Sequence, residues 1–106
     1  MNSRYDEIVK KTAETLVLAG SSFSDDKFKA YDCALKCESC ALSRWAMNEI
    51  CENARVAKSQ LSPLCDDTGI PHLILEVGKN RKIDGEFLEA IYEGVRKGLN
   101  DLPGRP

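Results

Sequence analysis

Pro63-Leu64-Cys65-Asp66-Asp67-Thr68-Gly69-Ile70-Pro71-His72-Leu73-Ile74-Leu75-Glu76-Val77-Gly78 is the stretch on which the reading of the fold turns. Its second half alternates Leu73, Leu75 and Val77 against His72, Ile74 and Glu76, the two-residue period of a partly buried strand. Pro71 lacks an amide donor and so belongs near the start of that strand or on an edge. The first half reads as a turn, because Pro63 tends to end the preceding helix and Gly69 lets backbone approach a ligand closely. That turn carries Cys65, a soft metal ligand, beside two carboxylates, Asp66 and Asp67. Thiolates bind zinc, copper(I) or iron-sulfur clusters, and neighbouring carboxylates orient water or move protons. A single cysteine before a turn is also commonly a packed, inert thiol.

Upstream the chain reads as helical. Tyr5, Ile8, Val9, Thr12, Leu16 and Ala19 recur at three- and four-residue steps, giving a core-facing helix that Ser3 can cap and Gly20 can end. After a polar link at 21–24, Ser24 with Asp25 and Asp26 marks a second helix start, the acids favouring the positive end of the helix dipole; this helix runs to about Lys36. A third begins near Ala41, passes through Trp45, Ile50 and Ala57, and stops before Pro63. Downstream of the strand, residues 78–82 form a turn, and Asp84 can cap a last helix that buries Phe87, Ile91, Val95 and Leu99. That helix carries Ala90, Gly94 and Gly98 at four-residue steps, although each interior glycine costs about 1 kcal/mol relative to alanine. Close approach of another backbone would offset the cost, from the remainder of a larger molecule or from a second copy; a poorly formed, exposed helix is the alternative. The fold class expected is therefore α+β: a single domain, mostly helical, with a short β-sheet.

Composition narrows the function classes. With 42% hydrophobic residues, 30% charged residues and a net charge of −2, the 106-residue chain has an ordinary soluble balance and nothing that attracts nucleic acid. No apolar run approaches the ~20 residues of a membrane span, and the first six residues lack the apolar stretch of a secretory signal, so the default expectation is a cytoplasmic protein. Five cysteines, an odd number, argue for reduced thiols or metal binding over a disulfide scaffold.

Cys33, Cys37 and Cys40 share the spacing of the cluster-binding triad of radical S-adenosylmethionine enzymes. Those enzymes place the triad on a loop of a much larger barrel and commonly have an aromatic residue where this chain has Ser39. On a helix the three positions fall within an arc of about 60°, so a packed stripe is the favoured reading, with zinc or cluster binding as the other. His72, the one histidine, excludes multi-histidine metal sites; it reads as a strand residue, with a supporting contact to the cysteine turn as the minority role. Lys79, Arg81 and Lys82 could draw in an anion, though such a cluster is more often a solvated turn.

The segment 63–70, with 73–78 after it, resembles the cysteine loop of the iron-sulfur hydro-lyases of the class I fumarate hydratase and L-tartrate dehydratase alpha-subunit family, which usually carry Cys-Gln-Asp-Thr-Gly here. The resemblance extends upstream through Ser43-Arg44-Trp45-Ala46-Met47-Asn48-Glu49-Ile50-Cys51-Glu52-Asn53-Ala54, similar to a family helix ending in Glu-Asn-Ala, and downstream through the helix around Phe87 to Leu99. It implies that residues 1–106 are the amino-terminal part of a hydro-lyase catalytic domain that adds or removes water on a small dicarboxylic acid such as fumarate, malate or tartrate. Cys65 is then one of three ligands to a 4Fe-4S cluster, and Asp67 takes the family aspartate's place in the pocket. Asp66 departs from the pattern: a carboxylate there repels a dicarboxylate where the family's amide donates a hydrogen bond. The family's other two cluster cysteines and its substrate-gripping arginines lie beyond the matched part. The chain alone is therefore expected to lack a catalytic cluster, to be a fragment, a separately encoded piece or a degenerate relative, and to need the remainder of the hydro-lyase or a partner subunit, with a homo-oligomer also open. Two other readings stand beside it: a non-catalytic binding or assembly domain, and a small metal module built on Cys33, Cys37 and Cys40 with Cys51 or Cys65.

Overall fold

Among the residues that the computed structural model describes, 3–65 and 70–102, the chain forms four helices. They are α1 (Ser3–Ser21), α2 (Asp25–Cys37), α3 (Ala41–Gln60) and α4 (Gly85–Asp101). Each stands where apolar periodicity and end signals place it. Asp84 caps α4, its Oδ1 accepting from the Phe87 amide at 2.9 Å. Ser24 occupies the α2 N-cap position without a side-chain cap bond, and its carbonyl instead accepts the Lys27 and Phe28 amides. The preceding link is pinned by aromatic packing: Phe23 stacks on Tyr31 with ring centroids 5.6 Å apart, and the Lys27 ammonium lies 4.4 Å from the Phe23 centroid.

α1 and α4 pack along their length, α2 rests on α3, and α1 also meets α3. The side chains fully buried at these crossings are small: Ala13, Cys51, Ala54, Ala57 and Ala90, with Leu102 the one larger exception. Gly20, Ser21, Gly94 and Gly98 are buried with them. Ser21 meets its polar need locally, donating its hydroxyl to the Val17 carbonyl at 2.6 Å. The glycine stripe on α4 faces α1 of the same chain, so the close backbone approach expected from it is internal and needs neither a second copy nor a further segment. A Cβ at Gly94 would stand 2.5 Å from Thr12 Cβ and 2.8 Å from the Val9 carbonyl oxygen; one at Gly98 would meet Leu16 Cβ at 3.1 Å and the Ala13 carbonyl oxygen at 3.2 Å.

The short β-sheet is not there: no strand occurs among the described residues, and the fold they form is all-α. Residues 70–77 are irregular, and among the described residues no backbone hydrogen bond to another segment engages them. Alternation marks two unlike faces, but a strand also needs a neighbouring backbone to pair with. The four helices offer none. The side chains of the run are accordingly exposed, Ile70 at 79% and Ile74 at 93%. Residues 70–75 border an open groove of about 810 Å³, whose floor is Ile8 and Leu16 of α1 with Phe87, Ile91 and Val95 of α4. The turn after the run matches expectation, with Lys79 and Asn80 at its tip and the Arg81 amide bonded to the Gly78 carbonyl at 3.0 Å.

The molecule is long and thin, 56 × 33 × 19 Å, with a radius of gyration of 17.5 Å. A compact chain of this length would have about 13 Å. No helix among the described residues is long and apolar enough to cross a membrane.

The crossing distances set opposite expectations for two chemically identical changes. In an isolated helix Gly→Ala stabilises by about 1 kcal/mol. Gly94→Ala should instead destabilise by about 2 kcal/mol in urea unfolding, because its neighbours are backbone and a branched stem. Gly98→Ala, with slightly more room, should stay within about 1 kcal/mol of the unaltered chain, propensity offsetting crowding.

Candidate functional site

Three local constraints lead the chain from α3 to Cys65. α3 ends as Pro63 requires, at Gln60, and Leu61 caps it in the left-handed region, φ 51° and ψ 44°. The Leu61 and Ser62 amides both bond the Ala57 carbonyl, the latter at 3.0 Å, the six-to-one bond of a Schellman-type stop. A leucine there holds a backbone conformation that costs about 1–3 kcal/mol outside glycine. Leu64 is then held from both sides. Its amide donates to the carbonyl of Gly20, at the end of α1, at 2.9 Å, and its own carbonyl accepts from Asn53 Nδ2 at 2.7 Å. Cys65 follows directly, exposed and not disulfide-bonded.

Asp66 and Asp67 lie outside the described residues. His72 is exposed and borders the apolar groove, and Lys79, Arg81 and Lys82 are exposed on their turn. Asn53 is the residue whose part was missed. It belongs to the Glu52-Asn53-Ala54 run quoted above for its resemblance, but only its partner, eleven residues away on the cysteine turn, reveals what its amide does. The available signal was an Asn two turns before a helix stop with a cysteine loop just beyond.

The packed stripe expected of Cys33, Cys37 and Cys40 is overturned, since all three are exposed and α2 buries no residue. α2 ends at Cys37 and Cys40 begins α3, so the three positions do not share one helix face, and α2 itself buries none of its residues. Cys51 is the buried cysteine of the described set. No group of three His, Cys, Asp or Glu side chains that could hold a metal ion occurs among the described residues, which removes the support for a separate cysteine module. For an iron-sulfur cluster the donor chemistry at the turn fits in part: Cys65 is one soft sulfur donor on an anchored backbone, and no full ligand set is assembled among the described residues.

Cys40 is distinctive in another way. It occupies the N-cap position of α3, where its amide donates to Glu38 Oε1 at 3.0 Å. Arg44, one turn on, donates through Nη1 to the Leu35 and Glu38 carbonyls at 2.7 and 3.1 Å, tying the end of α2 to the start of α3. The Ser43 amide, then the Ser43 hydroxyl and the Leu42 amide, hold the Cys40 thiol below the usual thiol range.

The structure thus places an exposed cysteine on a turn whose preceding residue, Leu64, is hydrogen-bonded through both its amide and its carbonyl. The family model described as Fumarate hydratase (Fumerase) matches residues 9–106, and the chain belongs to that family. It is also 37% identical over 84 residues to a protein of Methanocaldococcus jannaschii named "Putative L(+)-tartrate dehydratase subunit alpha", covering 77% of this chain and 30% of that protein. The chain thus spans about a third of the length of the curated relative it matches. The family resemblance drawn from the cysteine loop is borne out.

Two substitutions probe this geometry. Leu61→Gly removes the left-handed strain at a half-exposed position and should raise unfolding stability by up to about 1 kcal/mol. For Cys40, the alkylation rate followed against pH should show a midpoint below that of an ordinary thiol, because the lowered pKa populates the thiolate at lower pH. Ser43→Ala, which removes the hydroxyl contribution, should move that midpoint upward.

Proposed function

We propose that residues 1–106 are the amino-terminal part of an iron-sulfur hydro-lyase catalytic domain that adds or removes water on a small dicarboxylic acid such as fumarate, malate or tartrate. The observation that carries the reading is the family match over residues 9–106, which spans the turn bearing Cys65. The name of the Methanocaldococcus relative, an alpha subunit, supports a partner subunit or further segment that completes the site.

In this reading Cys65 gives one thiolate to a 4Fe-4S cluster, and the other two come from the remainder of the hydro-lyase or a partner. When bound, the cluster supplies an open iron that acts as a Lewis acid toward a substrate hydroxyl and carboxylate. The chain's own work is positional and protonic. The hydrogen bonds on either side of Leu64 hold the ligand turn in one orientation, so that the thiolate meets iron without first ordering its backbone. Asp67 takes the pocket position, where a carboxylate can accept and return the proton that accompanies loss or gain of water. In the same reading Asp66, where the family usually carries an amide, brings a negative charge toward the substrate carboxylates. It disfavours the doubly ionised acid and selects for a partner cation or a less charged substrate.

The test is anaerobic purification with iron and sulfide analysis, comparing the unaltered chain, Cys65→Ala and Cys37→Ala, each with and without the co-expressed remainder. Iron and sulfide should appear only with the remainder, vanish in Cys65→Ala and persist in Cys37→Ala. Iron that survives Cys65→Ala would sink the proposal. In the loaded assembly, Asp67→Asn should lower hydration turnover at least about a hundredfold, the scale of a lost acid-base group.

A further inference from the structure

We infer that Asn53 is the positioning residue for the Cys65 ligand. The inference rests on the function proposed above only for what Cys65 holds; the holding itself stands on geometry. The Leu64 carbonyl that accepts from Asn53 Nδ2 belongs to the same peptide unit as the Cys65 amide, and that unit is planar from the Cα of Leu64 to the Cα of Cys65. The Leu64 amide, one Cα earlier, is fixed to the Gly20 carbonyl. Two hydrogen bonds therefore clamp consecutive peptide planes, the second ending on the Cα of Cys65.

The two anchors differ in kind. The Gly20 carbonyl is backbone at the end of α1, present whatever the sequence there. The Asn53 amide is a side chain on α3, and it is what ties the turn to the helix that precedes it. Helix α3 is fixed beneath it by buried Cys51, Ala54 and Ala57, which alternate around Asn53 at helical spacing and leave its side chain on the exposed side toward the turn. Asparagine suits this task, since its amide donates to a carbonyl at neutral charge and so adds no cation beside a thiolate. Asn53 makes no contact with iron or substrate in this scheme and acts only through the backbone of Cys65.

Amide hydrogen exchange on the chain reads the clamp directly at Leu64. Asn53→Ala, and Asn53→Asp with the same shape but no donor, should each speed Leu64 exchange about fivefold, the scale of one net hydrogen bond. The Ala90 and Gly94 amides in α4 should keep their rates. Unchanged Leu64 exchange in both variants, or acceleration spread equally through α1 and α4, overturns the inference. In the anaerobically loaded assembly, both variants should lose iron to a chelator several-fold faster and shift the visible absorption of the cluster. Faster Leu64 exchange with iron loss and spectrum unchanged overturns the positioning role. Full iron retention by Cys65→Ala overturns the proposed function and the ligand half of this inference, whereas the exchange result then still stands as a property of the turn.

Discussion

The closeness of α1 and α4 at Gly94 is the constraint that the rest of the structure inherits. With the Thr12 stem and the Val9 carbonyl where a Cβ would be, the two helices meet backbone to backbone, and only hydrogen fits between them. That contact fixes the line of α1, and α1 does two further jobs from it. With α4 it makes the floor of the apolar groove, and its last turn delivers the Gly20 carbonyl to Leu64. Leu64, at the start of the cysteine turn, is thus referenced to α1 through a backbone hydrogen bond and to α3 through the Asn53 side chain. A side chain held in this way owes its direction to helices more than to its own loop.

The small-residue core follows from the same closeness. Alanine, glycine, serine and cysteine fill the crossings, so the large apolar side chains have been left outside them: Leu42, Trp45 at 61% exposure, Ile70, Ile74 and Tyr92 all face solvent. The total surface, 8239 Å², is well above the roughly 5,900 Å² usual for a folded chain of this mass. Membership of a family whose matched relative is about three times longer agrees with that excess. An apolar face this extensive is ordinarily an inner face.

Much of this was legible in the residues themselves. Helical periodicity at Tyr5 to Ala19 and Phe87 to Leu99, the cap at Asp84 and the stop before Pro63 are local effects, decided within a turn or two of chain, and each is found in the structure. The cysteine loop was legible as a family motif. What local pattern does not carry is the presence of a neighbour. The alternation at 70–77 was sound as a statement about faces and silent about pairing, so the sheet did not follow; the stripe at Cys33, Cys37 and Cys40 assumed one continuous helix, whereas α2 ends at Cys37 and Cys40 starts α3. The reverse error also occurred: Gly94 and Gly98 read as an invitation to an outside partner, when their partner was more than eighty residues upstream in the same chain. Asn53 was hidden for the same reason, since a hydrogen bond across eleven residues leaves no periodic trace.

A core of alanine and glycine has a thermodynamic signature of its own. Heat capacity rises on unfolding in proportion to apolar surface newly wetted, typically 12–15 cal/mol/K per residue. Here the bulky side chains are already wet in the folded chain, so little of that surface remains to be uncovered when α1 and α4 part. The increment should fall well short of the usual figure, giving a shallow, flat stability curve and a gradual melt.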